Sequence, residues 1–442
     1  MLRAGYERVR GRGVGQTWRR DVGMLTGMSE VTARSEPEAA NMPPEVEDEQ
    51  PVEEDERPVE PDRRAAWRES MRVGLWTWLA GLVMYALVTS VAWLPGAGQA
   101  PNLPQAYQAW NRWDTVWYVI IADSGYRYDS RSAAFFPLYP LLVRFANRVL
   151  PGGTFEAALL LSILFCLVAL VLVHRLTTEL IGPELGRRTT FYLFAFPTGF
   201  YLAAAYNESL FIALAAGSLY CMRRRHWWLA AVLAGFASAT RMAGALLALA
   251  FLYEYLRQRG FALRRIRWDV LWVALTPGGL LLYALYCART FGDPLYFEKM
   301  QANWFHTGFQ APWTTLGQVF ELATRTHPVL GADSMRNIIN LTTAVGVLIL
   351  LVVALDRHWG LGREQAYLVV FSAGIVLMPL LNPIRTYYPL SSMWRFALEC
   401  LPVFMVLAKM GRNARFDRVY TMVALAVQGV MIVTFLQNQF VA

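Results

Sequence analysis

The sequence predicts an all-α, polytopic integral membrane protein with about 10–11 transmembrane helices, including one short helical hairpin. Two observations carry this prediction. Hydrophobic residues make up 55% of the 442 positions and aromatic residues 14%, with the apolar residues gathered in long runs. The arginines lie mainly beside those runs, which is the pattern that orients helices in a membrane.

Ten apolar segments have about the length that a membrane crossing needs, or fall slightly short of it. The flanking basic clusters place the N-terminus in the cytoplasm and the C-terminus outside. The predicted segments are Val73–Leu94, Ala157–Leu176, Thr189–Tyr206, Glu208–Met222, Trp227–Tyr255, Val270–Ala288, Ile338–Leu355, Ala366–Leu381, Phe396–Ala408 and Val419–Leu436.

The segment Trp227–Tyr255 has basic clusters on both sides, so it must cross the membrane twice or not at all. Thr240-Arg241-Met242 interrupts it, which predicts a hairpin with Arg241 at or near the tip. The resulting 67–442 membrane domain has two long external loops, 95–156 and 289–337.

The first 66 residues are predicted to be a disordered cytoplasmic tail, because Glu30–Asp62 holds 13 acidic and two basic residues and no aromatic one. This stretch carries a net charge of −11, whereas the whole chain carries +8. The basic surplus elsewhere is explained by membrane orientation, so nucleic acid is not an expected partner.

Cysteine and histidine patterns predict neither a disulfide framework nor a metal site. The four cysteines form no CxxC pair, and the five histidines are scattered. We therefore expect no cofactor, although a divalent metal ion remains possible if the first loop brings Asp114 and Asp123 together.

The first external loop contains the most specific motif, Trp113-Asp114-Thr115-Val116-Trp117-Tyr118, followed by Ile121-Ala122-Asp123-Ser124-Gly125-Tyr126 and Ala134-Phe135-Phe136-Pro137-Leu138-Tyr139-Pro140. This string resembles the pattern of the PIG-V family of mannosyltransferases. Weaker matches follow at Ala203–Phe211, at Thr240-Arg241 with Gly244, at Gly292–Leu295, and at Ser391-Ser392-Met393 with Arg395.

The resemblance implies a GT-C architecture with an active site on the external face of the plasma (inner) membrane. It implies transfer of mannose, or a related sugar, from a polyprenyl- or dolichyl-phosphate donor to a lipid or glycan acceptor. Asp114 would be the general base that takes the proton of the acceptor hydroxyl. The residues alone leave a second interpretation open, in which Asp114 only caps an interfacial helix.

The growing negative charge on the leaving phosphate would need cationic groups, and Arg241 and Arg395 are the candidates. Arg241 could instead be a structural partner of Glu208, which itself could cap a helix or bind substrate. Further candidate substrate-binding residues are the aromatic residues of the first loop: Trp113, Trp117, Tyr118 and Tyr126.

Two other functions fit the sequence less well. A lipid-linked-sugar transporter or flippase should carry charges at mid-membrane depth and broken helices in matched halves. A non-enzymatic envelope-assembly protein would use the acidic tail for docking.

Overall fold

A computed structural model describes residues 63–92, 103–128, 131–305, 308–326, 328 and 331–441, and all regular secondary structure among these residues is helical. Most of the predicted tail, residues 1–62, lies outside the described residues. Residues 63–66 were predicted to belong to the tail but form the first turn of a helix. These residues form a helix because Arg63-Arg64-Ala65-Ala66 has good helix propensity and the last proline of the tail, Pro61, precedes them.

The described residues contain seventeen α-helices, numbered here in chain order. They are α1 Arg63–Ala92, α2 Leu103–Gln108, α3 Asp114–Ser124, α4 Leu138–Asn147, α5 Thr154–Ile181, α6 Pro183–Ala195, α7 Glu208–Arg223, α8 Trp227–Ser238, α9 Leu247–Gln258, α10 Gly278–Phe291, α11 Tyr296–Phe305, α12 Pro312–Arg325, α13 Ala332–Leu355, α14 Ala366–Leu381, α15 Met393–Leu398, α16 Leu401–Met410 and α17 Ala414–Leu436.

Among the residues that the structure describes, five helical segments are long and apolar enough to cross a membrane: Arg63–Ala92, Thr154–Ile181, Asp333–Leu355, Arg363–Leu381 and Ala414–Leu436. The bent pair Trp268–Leu275 and Gly278–Phe291 would make six, and α8 and α16 are shorter apolar helices. An all-α integral membrane protein is therefore confirmed. The total of 10–11 crossings stays a prediction.

Trp227–Tyr255 folds as the predicted helical hairpin. The Trp227 ring at the start of α8 lies 5.1 Å from the Phe251 ring and 4.9 Å from the Tyr255 ring, both in α9. The two helices therefore run in opposite directions. Gly244 is needed near the tip, because a Cβ atom there would lie 2.3 Å from the backbone of Ala237.

Three predicted segments are interrupted rather than continuous. Val270–Ala288 is bent by 45° between its 3₁₀ and α-helical parts. Phe396–Ala408 is divided at Glu399 and Cys400, between α15 and α16. Thr189–Tyr206 leaves the α-helical conformation after Ala195, because Phe196 precedes Pro197 and proline disfavours helix in the residue before it.

The predicted external loops are themselves largely helical, as α2, α3, α4, α11 and α12 show.

One end of the helices is rich in arginine, and we call it the arginine end. The opposite end carries the motif residues Asp114 and Glu208, and we call it the motif end. At the arginine end, Arg224 pairs with Glu179, Arg187 pairs with Glu69, and Arg175 lies over the ring of Trp67. The helix α7 joins the two ends, since it begins at Glu208 and ends at Arg223. Its 16 residues span roughly 24 Å.

Candidate active site

Asp114 is the first residue of α3, and its carboxylate stands at the motif end of the helices. Trp113, just before it, has φ 53°, a backbone conformation that a bulky residue rarely adopts and that is often found at functional sites. The next residue anchors the turn, because Thr115 Oγ1 donates to the carbonyl of Ala205 at 3.2 Å. The Asp114 side chain remains 26% exposed, so solutes can reach it.

Arg395 joins Asp114 to Glu208. Its Nη2 atom lies 2.8 Å from Asp114 Oδ2, and its Nε atom donates to Glu208 Oε1 at 2.9 Å. The guanidinium carbon also lies 4.8 Å from the ring centroid of Tyr201 and 4.9 Å from that of Tyr206. The two carboxylates and two aromatic faces therefore hold Arg395 in one orientation.

Glu208 is the first residue of α7 and is fully buried. Arg241, from the hairpin tip, donates to Glu208 Oε1 at 3.2 Å, so the structural pairing that the sequence left open is present. Asn207 forms no side-chain cap, and its amide donates to the Thr240 carbonyl at 2.9 Å. That hydrogen bond ties the start of α7 to the hairpin tip.

Glu399 is a further member of the cluster that the sequence analysis missed. Its Oε1 atom lies 2.6 Å from Arg241 Nη1, and its side chain is fully buried. An acidic residue inside a predicted apolar segment was the available signal, because ionisable groups in such segments are usually paired or functional.

We call Asp114, Glu208, Arg241, Arg395 and Glu399 the site network. With every group ionised, three carboxylates and two guanidiniums give it a net charge of −1. The carboxylates of the network do not have all their hydrogen-bond acceptors filled. Neither Glu208 Oε2 nor Glu399 Oε2 accepts a hydrogen bond from any described residue. No described residue is a hydrogen-bond partner of Asp114 Oδ1 either, as the carboxylate pairs with Arg395 through Oδ2. Buried acceptors left open in this way are uncommon and mark a site of function or strain.

The four aromatic candidates fall into different environments. The Trp113 side chain is 36% exposed and packs against Phe440, with ring centroids 5.2 Å apart. The Trp117 ring stacks on Phe135 at 5.9 Å. Tyr126 donates its hydroxyl to the Phe135 carbonyl at 2.8 Å and contacts α10, not the site network.

Tyr118 lies one turn after Asp114 and is buried against Tyr139. Burial, and then the nearby charges of Asp114 and Glu208, raise the pKa of the Tyr118 hydroxyl well above its ordinary value. The hydroxyl therefore stays protonated and cannot serve as the base.

Two other acidic residues of the motifs, Asp123 and Asp293, have structural contacts. Asp123 Oδ1 accepts a hydrogen bond from Thr154 Oγ1 at the start of α5, and Asp293 Oδ1 accepts one from the backbone of Leu295. Among the residues that the structure describes, no three His, Cys, Asp or Glu side chains gather as a metal-ion site.

Comparison with known proteins finds similarity over part of this chain. The sequence model of the family described as Mannosyltransferase (PIG-V) matches residues 101–271. GPI alpha-1,6-mannosyltransferase 2 of Cricetulus griseus is 30% identical over 164 residues, which are 34% of this chain and 32% of that protein. GPI mannosyltransferase 2 of Schizosaccharomyces pombe is 24% identical over 234 residues, which are 47% of this chain and 49% of that protein.

The matches make part of this helical membrane protein similar to mannosyltransferases. Residues 101–271 of this chain are thus similar to the PIG-V mannosyltransferase family. The chain's alignments span about a third to a half of the length of these curated relatives. The region matched by the family model includes Asp114, Glu208 and Arg241, whereas Arg395 and Glu399 lie beyond it.

Two groups of solved structures are also similar. ArnT from Cupriavidus metallidurans, bound to undecaprenyl phosphate, is 16% identical with a TM-score of 0.47, covering 79% of this chain and 62% of that chain. The Archaeoglobus fulgidus oligosaccharyltransferase in the apo form is 13% identical with a TM-score of 0.41, covering 82% of this chain and 56% of that chain.

Proposed function

We propose that the chain transfers mannose, or a related sugar, from a polyprenyl-phosphate donor to a lipid or glycan acceptor at the external face of the plasma membrane. The observation that carries the proposal is how the two carboxylate oxygens of Asp114 are placed. Its Oδ2 atom is held by Arg395, while Oδ1 remains without a described partner, on a side chain that solutes can reach. The match of residues 101–271 to the mannosyltransferase family model supports the reaction class.

In this mechanism Asp114 Oδ1 takes the proton of the acceptor hydroxyl. The hydroxyl oxygen attacks C1 of the donor sugar, the C1–O bond to the phosphate breaks, and polyprenyl phosphate leaves with the bonding electron pair. Arg395 fixes the carboxylate in one orientation, which general-base catalysis requires. No covalent sugar–enzyme intermediate is needed.

The leaving phosphate gains negative charge, and the chain offers two arginines to stabilise it. Arg241 is the better placed of the predicted pair, because 17% of its side chain is exposed against 7% for Arg395. Arg395 is enclosed by Asp114, Glu208 and two tyrosine rings. We therefore assign phosphate contact to Arg241 and orientation of Asp114 to Arg395.

The donor is lipid-linked in this proposal because an external site has no supply of cytoplasmic nucleotide sugars. The test uses membranes that contain the full chain, incubated separately with radiolabelled polyprenyl-phosphate mannose and with GDP-mannose. We expect label to reach a new glycolipid or glycan from the lipid donor alone. The Asp114→Asn variant should lose that transfer while reaching the membrane at the same level.

Two results would contradict the proposal. Direct transfer from GDP-mannose, in membranes unable to make the lipid donor, would place the reaction on the other face. Movement of intact polyprenyl-phosphate mannose between leaflets, without cleavage of its C1–O bond, would show a flippase.

A further inference from the structure

A loop at the arginine end carries three arginines that have no partner. We call residues 259–267, which join α9 to the 3₁₀ segment Trp268–Leu275, the α9 loop. Arg264, Arg265 and Arg267 are exposed there, and their side chains form no hydrogen bond or ion pair with any residue that the structure describes. The loop therefore presents three positive charges within four residues.

The arginines around this loop are paired, which sets the three apart. Arg223 and Arg257 both contact Glu254, and Arg259 pairs with Asp269 at 2.9 Å. No acidic residue lies between Glu254 and Asp269 in the sequence. A general excess of basic residues is enough to orient the helices in a membrane, and it does not require charges without a partner. The three unpaired arginines are thus available to an anion from outside the chain.

The backbone of the α9 loop is held in one shape. Gly260 has φ 66°, the left-handed conformation that favours glycine, and the amides of Gly260 and Phe261 donate to carbonyls in the last turn of α9. This Schellman motif ends the helix. Arg259 Nε then donates to the Arg265 carbonyl at 3.0 Å, which closes the loop on itself. The exposed guanidiniums are therefore carried on an ordered backbone.

Exposed apolar side chains place the α9 loop at the membrane surface. Leu263 and Trp268 are 74% and 88% exposed, and Phe261 and Ile266 are exposed as well. Arginine, aromatic and aliphatic side chains that alternate along an exposed segment are typical of chain lying at the depth of the lipid headgroups.

The 3₁₀ segment Trp268–Leu275 leads from the loop along the lipid-facing side of the protein. None of its residues is buried, and Leu271, Trp272 and Leu275 are exposed, while the segment packs against α8. Its eight residues rise roughly 16 Å, which is about half of the ~30 Å hydrocarbon core. An acyl chain can therefore lie along this segment while its headgroup lies at the α9 loop.

We propose that the α9 loop binds the anionic headgroup of a phospholipid in the leaflet at the arginine end, with the headgroup phosphate at Arg264, Arg265 and Arg267. A phospholipid fits both features at once. Its phosphate pairs with guanidinium groups, and its acyl chains cover the apolar segment that follows. The loop continues α9, the second arm of the hairpin whose tip carries Arg241, so a bound lipid holds the base of that arm.

The test compares how two photoreactive lipids label the segment Trp268–Leu275. The full chain, in phosphatidylcholine nanodiscs, receives a small fraction of diazirine-bearing phosphatidylglycerol or phosphatidylcholine, and mass spectrometry locates the crosslinks. We expect phosphatidylglycerol to label the segment at least about fivefold more, since one basic residue near an anionic surface contributes about this factor. The preference should fall as salt is raised, because exposed charges are screened.

Variants of the loop separate charge from structure. The triple variant Arg264→Gln/Arg265→Gln/Arg267→Gln should abolish the preference, so that the two lipids label the segment equally. Replacing the same three arginines by lysine keeps the charge and should retain the preference. Both variants should unfold at the wild-type temperature, because the three side chains contact no described residue.

The matched control removes three charges from the same end at ion-paired positions, Arg72→Gln/Arg187→Gln/Arg188→Gln. It should keep the preference, whereas a loss equal to that of the loop variant would overturn the assignment to the α9 loop. Equal labelling by the two lipids in the wild type would overturn the proposal, as would a preference that survives in the glutamine variant.

An alternative occupant is the acidic segment Glu30–Asp62, whose net charge is −11. Deletion of residues 1–62 should leave the lipid preference unchanged. A preference that emerges only after this deletion would assign the three arginines to the acidic segment and overturn the proposal.

Discussion

Two buried charge clusters lie at opposite ends of the helices, and they are built differently. At the arginine end, both oxygens of the buried Glu254 accept hydrogen bonds from Arg257, and Gln258 also donates to Oε1. These three residues lie within about one turn of α9. The site network instead joins residues far apart in sequence, and it leaves carboxylate oxygens of Glu208 and Glu399 without a hydrogen bond.

The comparison separates a structural cluster from a functional one. Glu254 has its hydrogen-bonding capacity filled by neighbours on its own helix, which is how a buried charge is stabilised within a fold. The site network keeps acceptors open and a carboxylate within reach of solutes. Substitutions in the cluster at the arginine end should therefore lower the stability of the fold. Substitutions in the site network at the motif end should lower turnover.

Arg395→Lys should produce the largest loss of transfer among the network's supporting residues. Lysine keeps the positive charge but lacks the planar group that contacts Asp114 and Glu208 together. We expect kcat to fall roughly 10–100-fold, the effect of losing a charged hydrogen bond that orients the base. Steady-state kinetics measure this, and a kcat within twofold of wild type would show that Asp114 needs no orientation by Arg395.

Glu399→Gln should have the next largest effect. It removes one of the two carboxylates that hold Arg241, so Arg241 should pair with Glu208 alone. We expect kcat to fall about tenfold with a smaller change in the acceptor KM. The control is a double-mutant cycle with Arg241→Gln, in which the two losses should not add because the residues are in contact. Fully additive losses would show that the pair does not act as a unit.

Glu254→Gln, at the arginine end, should lower stability and leave turnover unchanged. Removing the charge leaves Arg257 and Arg223 without their anionic partner at the arginine end. We expect about 1–3 kcal/mol of lost stability, from the disrupted buried hydrogen bonds, and unchanged transfer per folded molecule. Thermal unfolding and activity on the same preparation test both expectations, and a tenfold loss of kcat with normal unfolding would break the contrast between the ends.

Tyr118→Phe should have the smallest effect. The Tyr118 ring packs in the core beneath Asp114, and its hydroxyl stays protonated. Phenylalanine keeps the packing, so kcat and KM should stay within about twofold across the working pH range. A substantial rise in the KM for either substrate would instead restore the predicted role of Tyr118 in substrate binding.

Much of the fold follows from local patterns in the sequence, and the hairpin shows why. Basic clusters on both sides of Trp227–Tyr255 require two crossings or none, whichever residues pack around it. The breaks at Thr276 and at Glu399 were not predicted. Proline was an available signal at both, since Pro277 follows the first break and Pro402 lies in the first turn of the helix after the second. Proline also explains the end of α6, so residue type could have located all three interruptions.

The site network was predicted only in part. Asp114, Glu208, Arg241 and Arg395 were candidates because they stand in recognisable motifs, yet their mutual contacts depend on tertiary packing across 281 residues. The sequence analysis assigned both arginines to phosphate, and the structure shows that each of them has carboxylate partners. The phosphate role stays a prediction, now directed at Arg241.

The most direct test of Asp114 as the base separates chemistry from binding. The full chain and Asp114→Asn are compared in nanodiscs for donor affinity and for the single-turnover rate of sugar transfer at saturating donor and acceptor. The mechanism predicts similar donor affinity and a rate lower by roughly 10²–10⁴-fold, the usual contribution of a general base. A rate within about threefold of wild type would contradict the assignment of Asp114 as the catalytic base.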